Sequence, residues 1–254
     1  MSLGTIYAHW PMNEASDGST NVTRVDATGR GNDLTSVNTV ASGTGLLASA
    51  ADLEFSNAEY LGIASNGDVQ LGDLDFWIQL WFKRESADTE SPMLISKCGS
   101  IAIASQTEYQ IRLFGVGNPV VLNVALSNGT TRTVFAGTSG IALNTWYRVL
   151  LIHDAVNDRV KVWLNNTLEI DQAYSLGCLA STRPFNIGAN NNSALSAGFD
   201  GLIDEVTLAK DGAPTDEEAS ILYNEGTPLP YPFKMLVHPG MTGRTQNLVG
   251  GLAA

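Results

Sequence analysis

Glycoside hydrolysis needs two carboxyl groups, about 5 Å apart where configuration is retained, one acting as nucleophile and the other as acid/base. Glu169-Ile170-Asp171 makes a start on that pattern, because residues two apart share one face of a strand. The residues that follow, Gln172, Ala173, Tyr174 and Ser175, add no second glutamate, so the pair reads as the solvated flank of a hairpin. Glu85, Asp88 and Glu90 form another acidic group, set in polar sequence and read as a solvated loop. Nucleophilic catalysis has no better footing. The histidines are His9, His153 and His238, no Gly-x-Ser-x-Gly elbow occurs, and neither Cys98 nor Cys178 has a histidine beside it in sequence. Phosphate-cradling GxGxxG and P-loop signatures are also missing. The chemistry-bearing residues therefore predict a protein that is not an enzyme.

Composition narrows the partners. The 254 residues carry 14 basic and 26 acidic side chains, a formal charge of −12. Duplex nucleic acid and anionic membrane surfaces both favour Lys/Arg clusters, so neither is expected as a partner. No apolar run approaches the ~20 residues that span a bilayer. The opening Met1-Ser2-Leu3-Gly4-Thr5 lacks a basic segment followed by an apolar one and reads as having no signal peptide, which predicts synthesis in the cytoplasm. Two distant cysteines cannot make a disulfide scaffold or a four-ligand zinc site. They read as reduced small apolar residues, with a single bridge between them left open.

Strands must position whatever these side chains do. Tyr7 to Met12, Leu53 to Ile63, Phe76 to Arg84, Leu94 to Lys97, Ile101 to Ser105, Tyr109 to Phe114 and Val120 to Leu126 read as strands. So do Thr131 to Phe135, Trp146 to His153, Arg159 to Leu164, Phe185 to Gly188 and Leu202 to Leu208. Alternation is cleanest at Tyr109/Ile111/Leu113 against Gln110/Arg112, and it returns at Val160/Val162/Leu164 against Arg159/Lys161/Trp163. Asn128-Gly129, Asn157-Asp158 and Asn165-Asn166 supply hairpin turns. No βαβ rhythm occurs, so the expected fold is all-β, a two-sheet antiparallel jelly-roll sandwich. One helix is predicted near the C-terminal end, because Thr215-Asp216-Glu217-Glu218 places a capping hydroxyl three residues before a glutamate and Gly226 ends the segment. Residues 1–226 read as the domain, and 227–254, opening with Pro228, Pro230 and Pro232, as a Pro/Gly-rich arm.

Six segments in order carry a resemblance. HWPMNEASDG at 9–18, DATGRGNDLT at 26–35, FWIQLWFKR at 76–84, TWYRVLLIHDAVNDRVKVWLNN at 145–166, FNIGA at 185–189 and FDGLIDEVTL at 199–208 resemble laminin-G-like domains of the concanavalin A-like lectin/glucanase superfamily. The helix with EEASILY at 217–223 closes the pattern, and the resemblance covers about residues 5–226. Asn165-Asn166 stands where that family often has Asn-Gly, and Asn is the next-best residue for a positive φ.

The resemblance implies a Ca²⁺ site where the first strand meets the last. Asp204, a carboxylate interrupting Leu202-Ile203 and Val206, is the expected side-chain ligand, completed by carbonyls near Met12 and by Asp26 and Asn32. The alternative is that Asp26 is an Asx-turn residue and Asp204 accepts backbone N–H groups. The resemblance also implies recognition of a glycan or surface polysaccharide. The expected contacts are Trp163 and Tyr109 as aromatic platforms, with Asn190, Asn191 and Asn192 as hydrogen-bonding groups. The resulting expectation is a non-catalytic glycan-binding or adhesion module, carried as a virion surface decoration or appendage protein. Its alternatives are a purely structural assembly protein and, third, a glycoside hydrolase or lyase of the same fold. The arm 227–254 is expected to dock on protein partners, as part of an assembly found at a virion surface or outside the cell.

Overall fold

A computed structural model of the chain describes residues 3–14, 23–87, 91–115, 120–190 and 197–233. Its strands are β1 (Thr5–Trp10), β2 (Thr23–Arg24), β3 (Leu34–Val37), β4 (Ala41–Thr44), β5 (Ser49–Leu53), β6 (Tyr60–Ile63), β7 (Phe76–Arg84) and β8 (Met93–Cys98). They continue as β9 (Thr107–Phe114), β10 (Val121–Ser127), β11 (Arg132–Gly140), β12 (Trp146–Asp154), β13 (Arg159–Leu164), β14 (Thr167–Ala173), β15 (Phe185–Ile187) and β16 (Gly201–Lys210). One α-helix, α1 (Asp216–Tyr223), follows.

All pairings are antiparallel and build two sheets. Sheet A runs β14-β13-β12-β7-β16-β5-β4, with β1 also paired to β16, and sheet B runs β11-β10-β9-β8-β15-β6-β3-β2. The two-sheet jelly-roll sandwich expected from the alternation is the observed architecture. Between the sheets, Trp10, Phe76, Ile78, Leu80 and Phe82 meet Tyr109, Ile111, Leu113, Leu122, Val124 and Phe185 in one apolar layer.

A further apolar cluster lies on the other side of sheet A. Trp77, Leu150, Ile152, Trp163 and Ala209 are covered there by Ala219 and Leu222 of α1 and by Phe233. Strand β7 is buried on both faces for this reason, and its near-continuous apolar run FWIQLWF is the sequence form of that double burial. The helix is held by the expected capping box. Thr215 Oγ1 accepts from Glu218 N (3.2 Å), and Glu218 Oε2 accepts from Thr215 N (2.8 Å).

Several expectations need correction. Ile101–Ser105 is not a strand, since residues 104–106 form a 3-10 turn leading into β9. Leu53–Ile63 splits into the end of β5, a 3-10 turn at Phe55–Asn57 and β6, because Ala58 takes φ 56° and breaks the strand. Strands β3, β4 and β14 are short or polar and were not among the expected strands. The domain boundary expected after residue 226 lies further on, because Leu229, Tyr231 and Phe233 pack on sheet A, with the Tyr231 ring stacked 4.8 Å from His9. This first part of the arm therefore docks on its own domain, and residues 234–254 lie outside the described residues. Cys98 and Cys178 are both free and buried.

Candidate functional site

The two outer faces of the sandwich differ. That of sheet A is covered by α1 and the segment through Phe233. That of sheet B carries polar planar side chains in register. On β9, Tyr109, Ile111 and Leu113 point into the core, so Gln110, Arg112 and Phe114 face out. On β10, Asn123 pairs with Arg112 on one side and Ala136 on the other, while Ala125 pairs with Gln110 and Val134. Ser96 joins Gln110 to Asn186 of β15 across β8. Gln110, Asn123 and Asn186 are buried. Phe114 and Val134 are 49% and 41% exposed and lie on opposite sides of this set, Phe114 two residues beyond Arg112 on β9 and Val134 on β11 opposite Ala125.

Hydrogen bonding on this face is incomplete. Arg132 Nη2 donates to Gln110 Oε1 (3.0 Å), and Arg112 lies 5.5 Å from the Phe114 ring centroid. The Nε atoms of both arginines, Asn123 Oδ1 and Asn186 Nδ2 are buried without a partner within the described structure. Folded proteins leave few such groups unsatisfied, and each one needs a cause. Asn190 reaches the same face, where Cys98 Sγ lies 3.6 Å from its Oδ1.

The residues expected as glycan platforms are placed elsewhere. Tyr109 is fully buried between the sheets and donates its hydroxyl to Val69 O (2.9 Å), so it has no face for a sugar. Trp163 is 9% exposed and belongs to the cluster beneath α1. Asn191 and Asn192 lie outside the described residues. Gln110, Arg112, Asn123 and Asn186 were not singled out from the sequence. The signal for two of them was the Gln110/Arg112 alternation itself, since polar side chains opposite a core face must point outward.

The four residues expected around a cation are not brought into one shell. Asp26 closes an Asx turn, its Oδ1 accepting from His9 N (3.1 Å) and Thr28 N (3.0 Å) and its Oδ2 from Asn32 N (3.2 Å). Asn32 gives its amide to Tyr7 O and Asp68 and accepts from Asn66. Met12 is buried in the core with φ 55°. Among the described residues no group of three or more His, Cys, Asp or Glu could hold a metal ion.

Of the four, Asp204 is the one with an unpartnered carboxylate oxygen. It sits at the bulge where β16 changes partner, pairing with β5 up to Ile203 and with β1 from Val206. Its Oδ2 accepts from Leu46 N (2.8 Å), and its Oδ1 is buried with no partner. Burial, with Glu205 adding repulsion, pushes its pKa up to about 7 against the Leu46 hydrogen bond.

The acidic pair on β14 is engaged structurally. Glu169 accepts from Thr138 N (3.0 Å) and Ser139 N (3.2 Å) of β11, and Asp171 is ion-paired with Arg159. Asp88 and Glu90 lie outside the described residues.

A laminin G family model of the concanavalin A-like lectin/glucanases superfamily matches residues 55–220. The chain belongs to this superfamily. Among solved structures with the superfamily fold, it is similar to domain 4 of AbnA, a GH43 extracellular arabinanase from Geobacillus stearothermophilus, determined with arabinotriose. That likeness has a TM-score of 0.63 and 20% identity over 87% of this chain and 98% of that one. It is also similar to the binding domain of Paraclostridial Mosquitocidal Protein 1, with a TM-score of 0.66 and 12% identity over 87% of this chain and 52% of that one. Botulinum neurotoxin type C, in a structure concerned with two ganglioside molecules, gives a TM-score of 0.64 and 13% identity over 87% of this chain and 51% of that one. This superfamily member thus spans about half of each toxin chain, and at these identities the likeness is one of fold. Among curated proteins no relative matches by sequence. No helix of the described residues is long and apolar enough to cross a membrane.

Proposed function

We propose that this domain is a non-catalytic glycan-binding module whose binding face is the outer side of sheet B. The observation that carries the reading is the contrast between the two faces. Sheet A is covered by α1, whereas the outer side of sheet B carries Arg112, Arg132, Asn123 and Asn186, each with a polar atom that has no partner among the described residues, on a face where Phe114 and Val134 are exposed. A sugar ring has the matching duality, with hydroxyls at its edge and C–H groups on its faces, and such sites combine apolar contact with a few placed polar groups. The fold is shared with an arabinanase domain that was determined with arabinotriose, which supports the sugar-binding reading. Engagement of Glu169 and Asp171 in structural contacts supports the non-catalytic part.

A glycan array probed with the full chain tests this. The expected result is binding to at least one carbohydrate class, weakened by Asn123→Ala and Asn186→Ala. Silence across the array, or binding untouched by both variants, would overturn the assignment of this face. A calcium ion held at Asp204 belongs to the same proposal. Its role would be structural, neutralising the buried carboxylate where β1, β5 and β16 meet.

A further inference from the structure

The chain carries a formal net charge of −12. The outer face of sheet B nevertheless holds two arginines that meet no carboxylate. Arg24, Arg30 and Arg159 are each ion-paired with an acid, while Arg112 and Arg132 form no ion pair among the described residues. Both are half-buried. Burial lowers the pKa of each guanidinium, and for Arg132 the next cause is the like charge of Arg112 itself. Arg132 reaches Gln110, the same-face neighbour of Arg112 on β9, so the two cations share one partly desolvated face, where mutual repulsion and lost hydration are a cost that an anion offsets.

The arginines are also oriented. Gln110 Oε1 takes one Nη of Arg132, and the Phe114 ring flanks the guanidinium of Arg112. What stays unmet points to an oxyanion ligand, because among the described residues the Arg112 side chain makes no hydrogen bond and that of Arg132 only the one to Gln110, and a guanidinium fork matches a planar or tetrahedral oxyanion.

We infer that this face selects acidic glycans, with Arg112 and Arg132 together receiving the carboxylate or sulfate group of a sugar. The inference rests on the glycan-binding reading above and specifies its ligand class.

Calorimetry with the full chain tests it against three oligosaccharides of equal length: an oligogalacturonate, a sulfated galactan fragment free of carboxylates, and a neutral arabino-oligosaccharide. At least one acidic sugar is expected to bind about tenfold or more tighter than the neutral one, the scale of a charge-assisted hydrogen bond. The preferred acidic sugar identifies carboxylate or sulfate as the group bound. Affinity should fall with added salt, and by about tenfold in Arg112→Gln and in Arg132→Gln. Val134→Glu, at an exposed position outside the core, should weaken acidic ligands by repulsion without disturbing packing. Equal affinity for neutral and acidic sugars, or acidic binding unmoved by all three variants, overturns the acid selectivity and leaves the glycan-binding reading standing. No binding of any sugar overturns both.

Discussion

Lys97 and Glu108 are both fully buried, with Nζ 3.1 Å from Oε2. Glu108 also accepts from Leu71 N and Ser181 N, each at 2.8 Å, and Lys97 donates to the carbonyls of Ser181 and Arg183. The pair thus ties two loops to the adjacent strands β8 and β9. Removing one partner of such a pair strands the other charge, so Lys97→Met is expected to cost roughly 3–5 kcal/mol in urea unfolding. The double change Lys97→Met/Glu108→Leu should recover part of that loss, since no buried charge is left behind. Asp204 gives the opposite case, a buried carboxylate with no cation in contact. Its folded pKa of about 7 stands above its ordinary 3.8, so the native state holds the proton more tightly than the unfolded chain. Its contribution therefore weakens stability as pH rises from 3.8 through about 7, and a bound cation would reverse this by favouring the ionised form. Millimolar Ca²⁺ is expected to raise the Tm at neutral pH in the unaltered protein and to leave Asp204→Asn unmoved. Equal Ca²⁺ responses of the two proteins would remove the cation from this site. Of these residues only Asp204 was legible in the sequence, because a carboxylate interrupting Leu202-Ile203 and Val206 stands out. Lys97 and Glu108 lie in different strands, and their meeting depends on the sheet register.

At the scale of elements, local chemistry that closes within a few residues was readable. The Thr215–Glu218 capping box and the αL turn at Asn165, with φ 54°, both occur where the sequence puts them. The long apolar strands were readable too, since β7, β12 and β16 supply the middle of sheet A. Less readable were the polar edge strands. Strand β14, Thr-Leu-Glu-Ile-Asp-Gln-Ala, buries one residue well, and its place at the sheet edge is set by pairing with β13 rather than by hydrophobic pattern. The same strand supplies a tie between the sheets, because Glu169 reaches the Thr138 and Ser139 amides of β11 at the edge of sheet B. Burial raises the Glu169 pKa, but the Ser139 and Thr138 hydrogen bonds outweigh it and hold the carboxyl below its ordinary 4.5. The sign follows from that direction. The stabilisation is fully present above 4.5 and is lost as pH falls through the depressed folded value. Glu169→Gln is thus expected to lower the Tm at neutral pH, with the gap to the unaltered protein closing on acidification below 4.5. A gap independent of pH would mean that the charge on Glu169 plays no part in the tie.

For the whole molecule, the main asymmetry among the described residues is that α1 and the segment through Phe233 cover the outer face of sheet A and no comparable cluster covers that of sheet B. The sealing was hidden in the sequence because Thr227–Phe233 reads as a proline-restricted arm, and nothing local reveals that its apolar side chains return to sheet A. Trp163 was misread for the same reason, since an aromatic on an outward strand position looks available until a helix from elsewhere covers it. Leu229, Tyr231 and Phe233 complete the cluster over Trp77, Ile152 and Ala209, and Phe233 is 5% exposed. Burying an aromatic or leucine side chain of this kind stabilises by roughly 1.5–3 kcal/mol. A chain ended after Gly226 is therefore expected to lose several degrees of Tm relative to one ended after Phe233, which keeps all three side chains. Because this cover lies on sheet A, the shorter chain should retain its affinity for glycan at the opposite face, measured under conditions where it remains folded. If the shorter chain kept its Tm, the arm would not be part of the domain. If it stayed folded yet lost glycan affinity, the binding face would have to be sought on sheet A.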